Sequence, residues 1–354
     1  MKTDHVRVRR EAGEPPQPAE PQRVDQVPRE ATKPIVLDFL GSIGKRPELG
    51  VLISLVVVSL VFVVLSGGKF ATVRNIASLL AISAELGIVT LGMAFILISG
   101  EIDLSVGSVF GMSALFFVLL SNLVGSVPAF LVAVGLACLV GLCNGFITTR
   151  TEVPSLIATL GMMMFIRGII FFTTGGFTRS FSSTDFFIEA LGGRFAGRFH
   201  TSVLWFVAVA VIFGVILRLT RYGNAVFAVG GNREVARALG INVDRVRLTN
   251  FILCSSLAGF AGTISASRFH TAAATTGELM ELEAIAAAVM GGCLLTGGYG
   301  TIAGAFIGAL LIPAVRAGLI LSGAPGYWYQ AFIGIVLVAA SIINLSVIRR
   351  AVSK

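Results

Sequence analysis

Residues Ser99–Ser108 read S-G-E-I-D-L-S-V-G-S, a polar and glycine-rich break between two apolar runs. Three glycines in and just after this stretch recur 197 residues later with the same spacing: Gly100, Gly107 and Gly111 correspond to Gly297, Gly304 and Gly308. Two glycine-interrupted hydrophobic segments at corresponding places in two halves are typical of membrane transporters built from repeats. Chance is the alternative, because the chain has 41 glycines and membrane helices are rich in glycine. We predict a two-fold internal repeat.

The composition indicates that lipid forms part of the solvent of this chain. Hydrophobic residues make up 55% of the 354 residues and charged residues only 13%, and the mean hydropathy is +0.89. A soluble domain carries about 25% charged residues, so a large soluble domain is excluded. The basic residues that give the net charge of +8 lie beside apolar segments. This placement fits control of membrane topology and argues against nucleic-acid binding.

Ten segments approach the length of about 20 apolar residues that crosses a bilayer. They are residues 49–66, 75–99, 104–121, 129–149, 153–174, 202–217, 248–267, 284–298, 301–321 and 329–347. The eighth is short, so it must either extend back past Glu283 and Glu281 or belong to a broken helix. We predict an all-α polytopic membrane protein with about ten transmembrane helices, some of them broken or re-entrant.

The ends of the chain are polar. Residues 1–34 hold six of the eleven prolines with mixed charge and little apolar content, which predicts a disordered cytoplasmic leader. Residues 35–48 mix apolar and basic side chains and suit a helix at the inner membrane surface. The transmembrane domain then covers residues 49–347, and residues 348–354 form a cytoplasmic tail.

Charges in the connections predict orientation, because connections rich in Arg and Lys stay in the cytoplasm. Connection 218–247 holds six Arg against two acidic residues, and the tail is basic. Connection 268–283 holds one Arg against three Glu. We therefore place 218–247 and both termini inside and 268–283 outside. Connection 175–201 is also assigned to the outside, although its Arg outnumber its acids, and its length predicts a partly folded lid or a surface helix.

The break and its repeat supply oxygen-bearing side chains for a substrate pathway. These are Glu101, Asp103, Ser105 and Ser108 in the first stretch and Thr296, Tyr299 and Thr301 in the second. Non-helical backbone in a bilayer is tolerated only where protein or a water-filled cavity satisfies it. Asp103 either caps a helix starting at Leu104 or lines a polar passage that binds hydroxyls, and the two roles are compatible.

Three ionisable residues lie inside apolar runs, namely Glu85, Arg167 and Arg316. A charge at mid-bilayer costs at least about 2.5–3.5 kcal/mol, so it normally faces a partner or water. A Glu–Arg pair inside the bundle is one interpretation, and a proton relay is the other. The relay is less favoured, because His5, His200 and His270 all fall outside the predicted spans.

The inner connection contains a predicted short helix. Asn232 is suited to the N-cap, Glu234 to the first turn and Gly240 to the stop. A basic surface helix docked on a partner is the interpretation we favour over a solvated loop. The chain shows no Walker motif, no Ser-His-Asp set and no metal-ligand cluster, and its four cysteines lie in apolar runs. We therefore expect no catalytic or metal site, no cofactor in this chain and an energy source in another chain.

From Leu49 to Val347 the chain resembles the membrane permease of bacterial ABC importers for ribose, xylose and related sugars. The motif G-G-I-D-L-S-V-G-S is matched by Gly100–Ser108 except at Glu101, and Y-A-x-G-G-N-x-x-A-A-R-x-x-G-I-x-V is matched with substitutions by Phe227–Val243. A third motif, A-I-A-A-x-x-x-G-G-x-x-x-x-G-G-x-G, is matched by Ala284–Gly300.

The resemblance implies a second permease subunit, an extracytoplasmic sugar-binding protein and a cytoplasmic ATPase that carries ATP and Mg²⁺. It also implies that the ATPase binds the predicted helix of connection 218–247. The coupling residues are then Asn232, Arg233, Glu234, Ala236, Arg237 and Gly240. Glu101 departs from the family pattern, which leaves its role and the substrate open. We expect the carboxylates of the outer connection to help dock the binding protein: Glu278, Glu281 and Glu283.

The hypothesis is a non-catalytic permease of the bacterial inner membrane that imports a pentose, hexose or related polyol by alternating access. The alternative is a secondary transporter driven by an ion gradient, which needs Glu85, Glu101 or Asp103 as its ion site. A membrane-embedded enzyme has no constellation of reactive residues to support it.

Overall fold

The computed structural model describes residues 47–151 and 153–352. These residues form thirteen helices: α1 (Pro47–Leu65), α2 (Val73–Ile98), α3 (Val106–Val124), α4 (Ser126–Arg150), α5 (Ser155–Thr174), α6 (Phe186–Gly192), α7 (Ser202–Leu219), α8 (Arg221–Gly231), α9 (Arg233–Ala238), α10 (Val243–Phe269), α11 (Met280–Met290), α12 (Ile302–Leu321) and α13 (Trp328–Val352). The predicted leader and residues 35–46 of the predicted surface helix lie outside the described residues, whereas Pro47 and Glu48 begin α1.

Eight of these helices are long and apolar enough to cross a membrane: α1 to α5, α7, α10 and α12. Together with α13, whose first part over Trp328–Ala339 is also apolar, they confirm the predicted all-α polytopic class. Four strands of two residues each are the only strands in the described ranges: β1 (Arg179–Ser180), β2 (Arg194–Phe195), β3 (Phe199–His200) and β4 (Thr271–Ala272).

The eighth predicted span differs from the structure at both ends. Helix α11 begins at Met280 and ends at Met290, and residues 291–301 are non-helical. The segment therefore extends back past both glutamates and is also broken. The predicted outer connection 268–283 is correspondingly too long, because Glu281 and Glu283 lie in the first turn of α11.

Helix α2 forms the centre of the bundle. Nearly all of its residues from Ser83 to Ile98 are buried, and it packs against α7, α10, α11 and α12. Helices α4 and α10 approach at backbone distance, since a Cβ on Gly141 would lie 2.5 Å from the Phe251 carbonyl oxygen. Small residues permit such contacts between membrane helices. Helices α1 and α5 lie at the periphery, where Val64 is 79% and Phe172 91% exposed.

The connection 175–201 is folded. Helix α6 is capped by Asp185, whose Oδ1 accepts the Ile188 N–H at 2.9 Å, and Oδ2 accepts the Ser126 hydroxyl at 2.5 Å. Desolvation alone would raise the pKa of Asp185, but these hydrogen bonds and one from the Phe187 N–H outweigh it and lower the pKa. Strand β1 pairs with β4 and β2 pairs with β3, both antiparallel. A capped helix and two short ladders thus order this connection.

The buried carboxylate of Glu85 forms an ion pair with Arg268, whose Nε lies 2.8 Å from Oε1. Both side chains are less than a tenth exposed. A Glu–Arg pair is the interpretation favoured for Glu85 from the sequence. Its partner Arg268, however, lies in α10 and not in the predicted connection 268–283. The pair ties the middle of α2 to the end of α10.

We expect Glu85→Gln to lower the free energy of unfolding by about 3–5 kcal/mol, because it leaves a buried guanidinium without a counter-charge. The double variant Glu85→Leu with Arg268→Met replaces the pair by apolar side chains and should recover most of the loss. The measurement is the midpoint of thermal unfolding of the purified protein in detergent. An unchanged midpoint for Glu85→Gln would show that this pair does not hold α2 to α10.

Candidate functional site

The two glycine-rich breaks meet at one end of the bundle. We call residues 99–105 the first break and residues 291–301 the second break. The Gly298 N–H donates to the Ile98 carbonyl at 2.8 Å, and a Cβ on Gly297 would lie 2.8 Å from the Gly100 Cα. Because α2 and α11 both end at breaks that touch, the two helix–break–helix units point the same way.

Helix α8 closes this junction. Gly230 lies directly over both breaks, where a Cβ would overlap the Ile98 carbonyl oxygen and lie 2.6 Å from the Gly298 nitrogen. The Tyr222 hydroxyl donates to Asn250 of α10 at 2.6 Å. Connection 218–247 is therefore packed against both breaks through the backbone of α8 and is not a solvated loop.

Hydroxyl groups of α5 satisfy the backbone of the first break. The Ile102 N–H donates to the Ser155 Oγ at 3.3 Å and the Leu104 N–H donates to the Thr159 Oγ1 at 3.1 Å. Ser108, one turn further on, donates to the Met163 carbonyl at 3.0 Å. These contacts meet the requirement that non-helical backbone inside a membrane protein be hydrogen-bonded by protein.

Asp103 is fully buried and orders the turn before α3. Its Oδ1 accepts the Ser105 N–H at 2.8 Å and the Ser105 hydroxyl at 2.6 Å, and Asn144 donates to the same hydroxyl at 2.8 Å. Helix α3 begins at Val106 and not at Leu104, so the expected first-turn cap is wrong in position. The carboxylate instead closes the turn that precedes the helix.

The predicted pathway residues fall into two groups. Those of the first break and the start of α3 are at most 4% exposed and bond to protein: Glu101, Asp103, Ser105 and Ser108. Those of the second break include Thr296 and Tyr299, which are exposed, and Thr301, which caps α12 by accepting the Gly304 N–H at 3.0 Å. The structure does not gather them into one open polar surface, so their place in a pathway stays a prediction.

Glu101 binds two arginines. Its Oε1 lies 2.6 Å from Nη2 of Arg233 and 2.5 Å from Nε of Arg247. Arg233 also donates to the Gly100 carbonyl at 3.1 Å, and Arg247 to the Thr148 carbonyl at 3.1 Å. Charge-assisted hydrogen bonds of this kind are about twice as strong as neutral ones. We call Glu101, Arg233 and Arg247 the Glu101 node; it joins the first break to α9 and α10.

Helix α9 forms with the predicted caps. The Asn232 Oδ1 accepts the N–H groups of Glu234 and Val235 at 2.9 and 3.1 Å, and Gly240 has a φ of +80° just after the helix. Ala236 faces the protein and is 1% exposed. The opposite side is open, with Glu234 and Arg237 exposed.

Two apolar side chains also lie on the open side of α9 and just beyond it. Val235 is 54% and Leu239 72% exposed, and four residues along a helix place side chains on one face. Arg237 lies 3.5 Å from Asp244, and both are largely exposed. Two exposed apolar side chains thus lie among the charges of Glu234 and Arg237 on this side of the connection.

Comparison with known proteins assigns the family. Residues 75–341 match the model of the family described as "Branched-chain amino acid transport system / permease component". The chain belongs to this family. It is 38% identical over 248 residues to the L-arabinose ABC transporter permease protein AraH of Azospirillum brasilense, covering 69% of this chain and 71% of that protein.

Two further relatives span a similar share of the permease. The xylose/arabinose import permease protein XylH of Sulfolobus acidocaldarius is 34% identical over 281 residues, 77% of each chain. The ribose import permease protein RbsC of Bacillus subtilis is 35% identical over 268 residues, covering 75% of this chain and 81% of that protein. No solved structure matches the permease.

The carboxylates predicted to dock a binding protein are differently placed from one another. Glu278 is exposed, Glu281 is 8% exposed, and Glu283 is 16% exposed and lies 3.7 Å from Arg316. Glu281 and Glu283 are therefore poorly placed to meet another protein, because α11 begins before them and carries them into the bundle. Docking through Glu278 stays a prediction.

Sequence reasoning missed Arg247 and the helix α8. Arg247 was counted among the arginines of the inner connection, and no local pattern distinguishes it from Arg245. The available signal was Glu101, where the family motif has glycine. A buried carboxylate requires a cation nearby. In the described ranges no group of three or more His, Cys, Asp or Glu is placed to hold a metal.

We expect Gly230→Ala to lower the midpoint of thermal unfolding by several degrees, because its methyl group overlaps the Ile98 carbonyl. Gly231→Ala is the matched control, since a Cβ at the neighbouring position has no atom within 4 Å and should be neutral or slightly stabilising. Both variants are measured as purified proteins in detergent. Equal midpoints for the two variants would contradict the close junction of α8 with the breaks.

Proposed function

We propose that the permease is the membrane subunit of an ATP-driven importer that carries a monosaccharide, a pentose, a hexose or a related polyol, by alternating access. The printed names of its relatives refer to arabinose, xylose and ribose, which supports a sugar as the substrate class. The Glu101 node carries the mechanism, because it connects an exposed helix to the junction of both breaks.

The side that holds α8 and α9 is the cytoplasmic side in this proposal. It carries the arginine-rich connection 218–247, and such connections stay in the cytoplasm. An even number of crossings then places both termini inside, and the membrane is the bacterial inner membrane. Both breaks face the same side as α9, since they contact α8 and the Glu101 node.

The open face of α9 is the surface for a cytoplasmic ATPase, which binds ATP and Mg²⁺ in its own chain. Val235 and Leu239 supply apolar contact, and Glu234 and Arg237 supply charges around it. A second permease subunit and an extracytoplasmic sugar-binding protein complete the assembly. The second subunit in this proposal is another copy of this chain.

Movement of α9 reaches the breaks by two routes. Arg233 at the start of α9 pulls on Glu101 and the Gly100 carbonyl of the first break. Helix α8 transmits to the second break through Gly230, which lies against Gly298. Rigid helical units on either side of the breaks then move as bodies between an outward-open and an inward-open state.

A transporter driven by an ion gradient is less well supported. Two of the three carboxylates that it would need already bind arginine, Glu85 through Arg268 and Glu101 through the Glu101 node. Asp103 remains, with its Oδ2 buried and without a hydrogen-bond partner among the described residues. One buried carboxylate is a narrow basis for ion coupling.

The test is uptake of labelled L-arabinose, D-xylose and D-ribose into liposomes that contain the complete complex. We expect uptake of at least one sugar only with the ATPase, the binding protein and ATP present. The double variant Val235→Glu with Leu239→Glu should abolish sugar-stimulated hydrolysis, because it adds charge to the apolar contact. Arg245→Ala, on an exposed position of the same connection, should leave hydrolysis unchanged. Concentrative uptake by the permease alone, driven by an ion gradient, would overturn the proposal.

Glu101→Gln should uncouple transport from hydrolysis, because it removes the charge that binds Arg233 and Arg247. We expect the sugar transported per ATP to fall at least fivefold while hydrolysis continues. Asp244→Asn is the control, since its exposed pair with Arg237 at 3.5 Å contributes little. A Glu101→Gln complex with the wild-type ratio would show that the node does not transmit movement.

A further inference from the structure

The segment of residues 270–279 enters the bundle without helical structure. At its start β4 pairs with β1, and Phe181 next to β1 stacks on His270 at 5.0 Å and contacts Phe117 of α3 at 5.8 Å between ring centroids. The segment then follows α3 towards the start of that helix. We call residues 270–279 the entering segment.

Two glycines of α3 make room for the entering segment. A Cβ on Gly111 would overlap the Thr276 carbonyl oxygen, and a Cβ on Gly107 would lie 2.5 Å from the Gly277 carbonyl oxygen. From Phe117 to Gly107 is ten residues, or about 15 Å along a helix. The entering segment therefore reaches well below the outer end of α3.

Arg167 of α5 holds the entering segment in place. Its Nη1 donates to the carbonyls of Ala274 and Thr276 at 3.2 and 3.0 Å. Arg167 lies seven residues before the end of α5 at Thr174, which is about 10 Å along the helix. At that depth unpaired carbonyl groups are not tolerated in lipid, so this guanidinium replaces the missing helical hydrogen bonds.

Three charged side chains lie together beside the entering segment. We call Arg167, Glu278 and Glu281 the charged row. Arg167 interacts electrostatically with both glutamates, and a Cβ on Gly107 of α3 would overlap the Glu281 Oε2. Glu283, two residues further along α11, points about 200° away around the helix and lies 3.7 Å from Arg316. The charged row therefore unites one buried arginine found in the sequence with two of the carboxylates assigned there to docking.

The charged row is open on one side. Thr275 and Glu278 are exposed, whereas Glu281 is 8% exposed and its Oε2 has no hydrogen-bond partner in the described part of the chain. Arg167, with which Glu278 interacts, lies about 10 Å from the end of α5. An exposed charge at this depth cannot face hydrocarbon, so water covers it.

We propose that the charged row and Thr275 line a water-filled outer vestibule that binds the hydroxyl groups of a neutral sugar in transit. Carboxylates accept and guanidinium groups donate hydrogen bonds, so a polyhydroxylated molecule replaces the water that it displaces. Two Glu against one Arg disfavour an anionic substrate. This inference rests on the proposed transport function and names the surface that meets its substrate.

The first test measures water access and does not depend on transport. Thr275→Cys and Glu278→Cys are made in a chain in which the half-buried Cys138 and Cys143 are replaced by Ala, and are labelled with a charged, membrane-impermeant methanethiosulfonate. Phe165→Cys is the matched control: it is 65% exposed, lies two residues from Arg167 and points about 200° away around the helix.

We expect Thr275→Cys and Glu278→Cys to react at least tenfold faster than Phe165→Cys, because the reactive thiolate forms only in water. Equal slow labelling at all three positions would mean that the charged row is sealed by protein, and would overturn the vestibule. Since no uptake is measured, this result leaves the proposed transport function standing.

The second test measures sugar recognition in the complete complex with native cysteines. Glu278→Gln should lower the maximal uptake rate of D-xylose, D-ribose or L-arabinose at least fivefold, with the half-saturating sugar concentration unchanged. Glu189→Gln is the control, as an exposed carboxylate of the outer connection 175–201. Wild-type uptake by Glu278→Gln would refute sugar binding, whereas failure of the wild-type complex to transport any of the sugars would count against the proposed function.

Discussion

Backbone groups outside helices have no water to bind in the hydrocarbon of a bilayer, and that constraint organises the two breaks and the entering segment. The first break uses hydroxyls of α5, the second uses the Ile98 carbonyl, and the entering segment uses Arg167. These hydrogen-bond partners come from helices distant in sequence. The breaks therefore exist only once the whole bundle has assembled, which couples local flexibility to global packing.

The same requirement governs charge. The carboxylates of Glu85, Glu101 and Glu283 each pair with an arginine from another helix or connection. A single buried charge is costly, whereas a paired one with satisfied hydrogen bonds is tolerated and fixes the relation of two elements. Apolar packing holds the helices of the permease together, while each ion pair adds a specific contact between two of its elements.

Features set by local chemistry could be predicted from the sequence, and features set by distant partners could not. Hydropathy located the long helices, and the caps at Asn232 and Gly240 located α9. The start of α11 was left open because Glu281 and Glu283 interrupt an apolar run, and nothing local shows that arginines of other helices offset them. The partners of Glu101 were missed for the same reason, since contacts between residues more than a hundred positions apart leave no mark in one sequence.

Two arginines on one carboxylate give the Glu101 node a property that a simple pair lacks. The side chain of Arg247 is 10% exposed and that of Arg233 is 41% exposed. Removing the only partner of a buried carboxylate costs about 3–5 kcal/mol, so a second arginine protects Glu101 from that cost. In the proposed cycle Arg233 carries the movement of α9 to Glu101, while Arg247 neutralises the carboxylate on the core side throughout. The two partners thus divide the roles: the half-exposed arginine couples Glu101 to α9, and the buried arginine holds the charge in place.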